Sequence, residues 1–272
     1  MGASRAPRHR KGGGDGFLRA GLGLMEDETD RGETVTVIGQ GQAAGPAVPV
    51  DLRLYGILDV GVCGGDGARL AAMAAQAAAG GATLIQYREK DIADARAALA
   101  RIRAIHAALA SRQVPLLVND RVDLALAAGA EGVHLGQGDL HPSDARRLLG
   151  RHAIIGLTLK TGGQADELYR LPVDYGCIGG VFATASKDNP DPPVGLDGFG
   201  RVAFRARLAR GTNFPLGAIA GIDASNCAAV IAAGADGVAV ISALFTGDSV
   251  EGRAADLRHR VDSALAARGA RT

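Results

Sequence analysis

The sequence lacks tryptophan, contains only three cysteines and has a net charge of only +1. The cysteines lie far apart and in no CxxC or HxxxH pattern, which excludes a disulfide framework or a structural zinc site. The near-zero charge gives no overall basic field for nucleic acid or an anionic membrane. No apolar run approaches the roughly 20 residues that span a bilayer, and the basic N-terminus lacks the apolar stretch of a secretory signal. We therefore expect a cytoplasmic protein with neither nucleic-acid nor membrane partners.

Two parts of the chain differ in pattern. Residues 1–48 contain glycine-rich and acidic clusters but no sustained period of two or of 3.6, which predicts a disordered N-terminal extension. Residues 49–272 form the predicted folded domain, in which short apolar runs alternate with helical stretches. This alternation is typical of βα units that build a parallel sheet. The eight predicted strands span residues 52–59, 83–89, 115–119, 132–137, 153–158, 175–182, 215–221 and 237–244.

Eight strand–helix units predict a single (β/α)₈ TIM barrel, an α/β fold of about this size. A junction of small residues recurs where helices end and strands begin, and we expect Gly80, Gly129 and Gly234 to end their helices in the left-handed conformation. An open doubly wound sheet is the main alternative. It is disfavoured because no GxGxxG pattern follows the first strand.

Polar residues follow the second predicted strand, at the end where barrels of this type build their active sites. The segment 86–90 reads QYREK, and the period of a strand places Gln86, Arg88 and Lys90 on one face. A solvated rim with an Arg–Glu pair is the alternative. Two cations and one amide on one face favour an anionic substrate.

Two carboxylates follow the third and fourth predicted strands. Asp120 and Asp139 would meet at the same rim as the cations, as a site for Mg²⁺ and a substrate diphosphate requires. Asp120 could instead cap the next helix, and Asp139 could be a turn residue. His134 is expected to be a packed or supporting histidine, because no second His or Cys lies at ligand spacing.

A second anion site is predicted on the opposite side of the rim. The loop 183–193 carries hydroxyls at Thr184 and Ser186 and a cation at Lys187, and a loop of this length is uncommon unless it is functional. The seventh and eighth strands end beside Gly221 and Ser242, where such barrels often bind phosphate through backbone N–H groups. A mobile connection is the alternative reading of the loop.

Residues 52–257 resemble the thiamine-phosphate synthase family, a group of TIM-barrel enzymes. The resemblance depends on Tyr55 and the motifs QYREK (86–90), VND (118–120), HLGQGD (134–139), TASK (184–187) and GADGVAVISA (234–243), in this order and spacing. It implies a Mg²⁺-dependent transferase that joins 4-amino-2-methyl-5-hydroxymethylpyrimidine diphosphate to 4-methyl-5-(2-phosphoethyl)thiazole. The implied reaction is dissociative: diphosphate leaves first, and the thiazole nitrogen captures the resulting pyrimidine-methyl cation.

The family pattern also implies a role for each matching residue. The pyrimidine diphosphate would be bound by Gln86, Arg88, Lys90, Asn119 and Lys187, and Mg²⁺ by Asp120 and Asp139. The thiazole phosphate would be bound by Thr184, Ser186, Gly221, Ile241 and Ser242. Thr158, where the family usually has serine, would face the reacting pyrimidine. Arg88, Lys90, Lys187 and Thr158 would be the catalytic residues.

The sequence departs from the family pattern at two places. The usual GLGPIYPT is replaced by CIGGVFAT at 177–184, and the usual GIGG by AIAG at 218–221. A thiazole tautomerase and a non-catalytic sensor of thiazole or thiamine phosphate are the alternative functions. Both are disfavoured because the cationic and acidic residues of a diphosphate–metal site are all present. Homo-oligomerisation stays open.

Overall fold

Eight parallel strands close into a barrel in this computed structural model, which describes residues 50–184 and 192–270. Each strand pairs with the next along the chain, and β8 pairs with β1. The predicted TIM barrel is confirmed. The strands are β1 (Leu54–Asp59), β2 (Leu84–Arg88), β3 (Leu116–Asn119), β4 (Gly132–Leu135), β5 (Ile154–Leu159), β6 (Tyr175–Ile178), β7 (Leu216–Ile219) and β8 (Gly237–Val240). The extension expected over residues 1–48 lies outside the described residues, as do Ser186 and Lys187.

Helices follow the strands and cover the outside of the barrel. They are α1 (Val60–Cys63), α2 (Gly67–Ala79), α3 (Ala95–Leu109), α4 (Val122–Ala128), α5 (Pro142–Leu149), α6 (Gly162–Asp166), α7 (Gly195–Arg210), α8 (Cys227–Ala232), α9 (Ser242–Phe245) and α10 (Val250–Gly269), with 3₁₀ turns at Ala110–Arg112 and Glu167–Arg170. Side-chain hydrogen bonds cap the first turns of several helices. Asp94 accepts hydrogen bonds from the N–H groups of Arg96 and Ala97, and Thr161 forms a capping box with Gln164. Within the described ranges, no helix is long and apolar enough to cross a bilayer.

Apolar side chains pack in two regions. One fills the space between the strands and the helices, with residues such as Ile102, Phe199 and Val230 fully buried. The other fills the barrel interior and includes Tyr55, Leu117 and Tyr175. The interior is therefore a packed core in which side chains support the rim above them.

The turn after α2 differs from the expectation. Gly80 ends the helix with φ −79°, and Gly81 takes the positive φ of 102° instead. Gly80 is needed for space, because a Cβ there would lie 2.3 Å from the carbonyl oxygen of Glu251 in α10. Gly129 and Gly234 do have positive φ, as predicted.

Polar side chains tie the strands together at the opposite end of the barrel from their carboxyl termini. The residue before each even-numbered strand accepts a hydrogen bond from an N–H at the start of the preceding odd-numbered strand. The four bonds are Leu54 N to Thr83 Oγ1 (3.1 Å), Leu116 N to Glu131 Oε2 (2.8 Å), Ile155 N to Asp174 Oδ2 (2.7 Å) and Leu216 N to Asp236 Oδ2 (2.9 Å). We call these four bonds the strand clasps. The three acids also pair with His106, Arg146, Arg207 and Arg268 on the surrounding helices.

Candidate active site

A cavity of about 610 Å³ opens at the carboxyl ends of the strands. Eight of the predicted substrate-binding residues line it: Gln86, Arg88, Asn119, Thr158, Thr184, Gly221, Ile241 and Ser242. The end of the barrel predicted to contain the site is therefore where these side chains converge. Lys90, Asp120 and Asp139 do not line this cavity but follow its wall residues along the chain.

The second strand places its side chains on alternate faces, as its period predicts. Gln86 and Arg88 face the cavity, whereas the hydroxyl of Tyr87 and the carboxylate of Glu89 contact Arg101 on α3. The expected alternative, an Arg–Glu pair at the rim, does not form at Arg88. Its guanidinium donates instead to Asp59 at the end of β1, and only 12% of the Arg88 side chain and 8% of the Asp59 side chain are exposed.

Two carboxylates meet beside this strand end. Asp120 accepts a hydrogen bond from Lys90 Nζ at 2.6 Å and lies within hydrogen-bonding reach of Asp139. Asp120 does not cap α4, since Arg121 occupies the cap position without a side-chain bond. Asp139 also closes its own turn, because its Oδ2 accepts from Gly136 N at 2.7 Å.

The surroundings of the two carboxyl groups shift their pKa values in opposite directions. Burial opposes ionisation of Asp120, but hydrogen bonds from Asp139 and Lys90 outweigh burial and lower the pKa of Asp120. Burial and the neighbouring Asp120 carboxylate raise the pKa of Asp139. Two acids this close need positive charge between or beside them, and Lys90 supplies part of it.

The donor set at this corner fits Mg²⁺. No group of three or more His, Cys, Asp or Glu side chains converges anywhere in the described ranges, which disfavours a metal held by protein ligands alone. Mg²⁺ usually keeps several waters and takes only one or two carboxylates together with substrate phosphates. The Nδ2 of the adjacent Asn119 is buried without a hydrogen-bond partner, so this corner also contains an amide donor that is available to a ligand.

The rest of the cavity lining combines backbone and small side chains with the charged side chains of Asp223, Arg253 and Asp256. Gly221, with φ 63°, has no room for a Cβ, which would lie 2.3 Å from the carbonyl oxygen of Ala183. Ile241 and Ser242 lie at the turn from β8 into α9, and Thr184 lies at the last described position before the gap. The two walls thus differ: one presents Arg88 and Asn119 next to the Asp120–Asp139 pair, and the other offers backbone and hydroxyl groups together with charged side chains.

Sequence reasoning missed Asp59, which orients Arg88 from the neighbouring strand. Asp59 closes the first apolar run, so the rule applied to the other strand ends would also have selected it. It likewise missed the partners of His134, whose ring nitrogens bond to Tyr175 and Thr158 at 2.8 and 2.9 Å. His134 is thus a packed, hydrogen-bonded side chain, as expected.

Comparison with known proteins identifies the family. The family model described as thiamine monophosphate synthase matches residues 54–244, which include all eight strands. The chain belongs to this family.

Curated relatives and a solved structure agree with that assignment. A thiamine-phosphate synthase of Agrobacterium fabrum is 50% identical over 220 residues, covering 80% of this chain and 98% of the relative. A thiamine-phosphate synthase of Koribacter versatilis is 46% identical over 196 residues, covering 71% and 89%. The solved thiamine phosphate pyrophosphorylase of Pyrococcus furiosus superposes with a TM-score of 0.68 at 30% identity, covering 79% of this chain and 98% of that one.

Both departures from the thiamine monophosphate synthase pattern lie along one edge of the cavity. The N–H groups of Val181 and Phe182 donate to the carbonyls of Ile219 and Ala220, so the altered segments pack against each other. Ala220 has φ 92°, a conformation that favours the glycine usual in the family. The alanine therefore adds backbone strain without preventing the turn.

Proposed function

We propose that this protein is a thiamine-phosphate synthase that joins 4-amino-2-methyl-5-hydroxymethylpyrimidine diphosphate to 4-methyl-5-(2-phosphoethyl)thiazole. One observation supports this most directly. A single cavity has Arg88 and Asn119 on one wall and glycine backbone and hydroxyl groups on the other, and the Asp120–Asp139 pair lies next to Asn119 just outside the lining. A substrate with a diphosphate and a substrate with a phosphate fit these two walls.

The proposed reaction transfers the pyrimidinylmethyl group from a diphosphate oxygen to the thiazole nitrogen. The bond between the pyrimidine methylene and the diphosphate oxygen breaks, and its electron pair leaves with the diphosphate. The thiazole nitrogen then donates its lone pair to that methylene carbon, which gives thiamine phosphate. No base is needed to generate the nucleophile, because the nitrogen already has its lone pair.

The residues of the cationic wall would stabilise the departing diphosphate. Arg88 is held by Asp59 with its charge at the cavity wall, and Lys90 lies next to the carboxylates. We propose that Asp120 and Asp139 bind Mg²⁺, which when bound supplies positive charge to the diphosphate oxygens. Asn119 would donate to the same group through its unpartnered Nδ2. Such preorganised charge, more than proton transfer, lowers the barrier.

The remaining assignments follow the same division of the cavity. We propose that Gln86 and Thr158 contact the pyrimidine and that Thr184, Gly221, Ile241 and Ser242 bind the thiazole phosphate. Ser186 and Lys187 are assigned from the family pattern alone, because both lie outside the described residues. A cytoplasmic location and small molecules as the main partners belong to the same proposal.

A product assay tests the proposal. The purified full-length chain is mixed with both substrates in the presence of Mg²⁺ or of excess chelator, and thiamine phosphate is oxidised to fluorescent thiochrome. We expect product only when both substrates and Mg²⁺ are present, with one diphosphate released for each product. A folded protein that binds the substrates and releases neither product would overturn the proposed activity.

A further inference from the structure

The cavity continues past the residues assigned above into a part formed by the loop after β7, the end of α9 and the start of α10. We call this part the outer lobe, and it is lined by Asp223, Ala224, Thr246, Arg253, Asp256 and Leu257. None of these residues has a role in the proposed reaction. The lobe therefore offers side chains beyond those that the two substrates use.

Arg253 supplies a positive charge in the outer lobe. It is the fourth residue of α10, and its guanidinium lies against the backbone of Gly247, in the turn between α9 and α10. A Cβ at residue 247 would lie 2.0 Å from Nη2 and 2.7 Å from Cζ of Arg253. Gly247 also has a φ of 108°, a conformation that favours glycine. The guanidinium thus occupies space that is open because residue 247 has no side chain.

The acidic side chains of the lobe are engaged by other residues, whereas Arg253 is not. Asp256 accepts hydrogen bonds from Arg260 Nε at 2.9 and 3.0 Å, and Asp223 accepts from the N–H and the hydroxyl of Ser225. Within the part of the chain that the structure describes, the guanidinium of Arg253 forms no hydrogen bond or ion pair. Its five N–H donors are therefore available to a ligand.

Helix stability does not explain a positive charge at this position. Arg253 lies near the start of α10, where the helix dipole favours acids and opposes cations. Glu251 already supplies an acid in the first turn. A guanidinium at the wall of a cavity is suited to bind an anion, because its planar fork matches the oxygens of a phosphate group.

The outer lobe adjoins the wall that we propose binds the thiazole phosphate. Ser242 begins α9 and Thr246 follows its last residue, and Thr246 Oγ1 donates to the carbonyl of Ser242 at 2.7 Å. Both residues line the cavity. A helix of this length rises about 6 Å, so the guanidinium beside Gly247 lies roughly one helical turn beyond Ser242. A second phosphate joined to a phosphate at Ser242 would extend towards Arg253.

We propose that the outer lobe is an anion subsite in which Arg253 binds the terminal phosphate of a diphosphate ester. The ligand is thiamine diphosphate, which is the proposed product with one further phosphate, and its first phosphate occupies the wall at Gly221 and Ser242. This inference rests on the proposed function, because that function assigns the first phosphate to this wall. Its consequence is that thiamine diphosphate competes with the thiazole phosphate.

Titration calorimetry with two ligands tests the inference. The purified full-length chain is titrated with thiamine phosphate and with thiamine diphosphate, in excess chelator so that no metal ion bridges the diphosphate to the carboxylate pair. The measured quantity is the ratio of the two dissociation constants. We expect thiamine diphosphate to bind the wild-type protein about tenfold more tightly than thiamine phosphate, and this ratio to fall to about one in Arg253→Gln.

Matched variants separate a local contact from a change in total charge. Arg147→Gln removes an exposed arginine on α5 that is not part of the cavity lining, and it should leave the ratio unchanged. Gly247→Ala keeps every charge but adds a Cβ where the guanidinium of Arg253 lies, so the ratio should fall in this variant as well. Melting temperatures establish that each variant is folded.

The outcomes distinguish this inference from the proposed function. Equal affinities of the two ligands for the wild-type protein, or an unchanged ratio in folded Arg253→Gln protein, overturn the phosphate subsite while thiamine phosphate is still formed. An equal loss of affinity for both ligands in Arg253→Gln also overturns it, because Arg253 would then contact the first phosphate. Absence of product from the wild-type protein in the thiochrome assay overturns the proposed function instead.

Discussion

At the scale of single residues, Asp120 is held in an unusual conformation. Its φ of 61° lies in the left-handed region, which non-glycine residues seldom occupy and which asparagine and aspartate tolerate best. Its N–H donates to the carbonyl of His134 at 3.0 Å. The turn directs the carboxylate towards Lys90 and Asp139 and away from the first turn of α4, where an aspartate at this point in a sequence is more often found.

Removal of either charge from the carboxylate pair tests the metal assignment. In Asp120→Asn and Asp139→Asn we expect Mg²⁺-dependent turnover to fall by roughly two orders of magnitude, because in the proposed mechanism each carboxylate binds the ion that neutralises the leaving group. Asparagine keeps the backbone conformation at position 120, so the melting temperature should change little. Asp123→Asn, an exposed carboxylate on α4, is the matched control. Full activity in the double variant would contradict the assignment.

Replacement of Ala220 by glycine tests whether the backbone at this position is strained, because strain predicts that the free energy of unfolding rises. Because its φ of 92° suits glycine, Ala220→Gly should raise the free energy of unfolding by about 1 kcal/mol. The same exchange at exposed Ala72 in the middle of α2 should lower it by about 1 kcal/mol. Urea denaturation measures both values. A decrease in Ala220→Gly would show that the turn is not strained.

At the scale of secondary-structure elements, the strands were largely predictable and their cross-barrel contacts were not. All eight strands begin within two residues of their predicted starts, because apolar runs and glycine junctions are local signals, whereas β6 and β8 end four residues before their predicted ends. The hydrogen bonds that join His134 to Thr158 and Tyr55 to Tyr175 span 24 and 120 positions of the chain. Such contacts depend on strand register around the closed barrel, about which a local pattern contains no information.

The strand clasps are the element-level feature with the clearest energetic consequence. Asp174 accepts from Ile155 N and pairs with Arg146 at 2.7 Å, and their side chains are only 11% and 18% exposed. In Asp174→Ala the Ile155 N–H loses its acceptor and the Arg146 guanidinium loses its counter-charge while it keeps its bonds to the carbonyls of Ala153 and Pro172, so we expect the free energy of unfolding to fall by about 3 kcal/mol.

The expected change is one of stability alone. The clasp lies at the amino ends of the strands, far from the cavity, and this end of a TIM barrel serves stability. Turnover at 25 °C should therefore be retained in Asp174→Ala. Asp144→Ala, which breaks an exposed pair with Arg147, should cost less than about 0.5 kcal/mol. Equal losses in the two variants would refute the importance of the clasp.

At the scale of the whole molecule, several buried groups make the fold sensitive to alkali. Burial raises the pKa of Tyr55, Tyr87 and Tyr175, and it raises the pKa of the Cys63 thiol to about 11. Because the folded values exceed the unfolded ones, these groups contribute stability that is complete below the ordinary values of about 9 to 10 and is lost as the pH rises further.

The free energy of unfolding should therefore depend on pH in a measurable way. The contribution of these groups predicts a nearly constant urea midpoint up to about pH 8.5 and a steady fall between about pH 9.5 and 11, where free phenols and thiols ionise. Tyr169 is 70% exposed, so the absorbance measurement uses a Tyr169→Phe background. In that background, absorbance at 295 nm should report phenolate formation together with unfolding, not before it. Tyr175→Phe should flatten the profile. Phenolate formation at about pH 10 in Tyr169→Phe protein that is still folded would contradict the prediction.

The position of Tyr55 and Tyr175 has a practical consequence. The chain contains no tryptophan and only four tyrosines, so its ultraviolet emission comes from few residues. Tyr55 lines the cavity and Tyr175 contacts it from below, whereas Tyr169 is 70% exposed. In a Tyr169→Phe background, two of the three remaining tyrosines are therefore at or directly beneath the cavity. The unlabelled protein thus contains an optical reporter of its own cavity, suited to stopped-flow measurement of each ligand as it arrives.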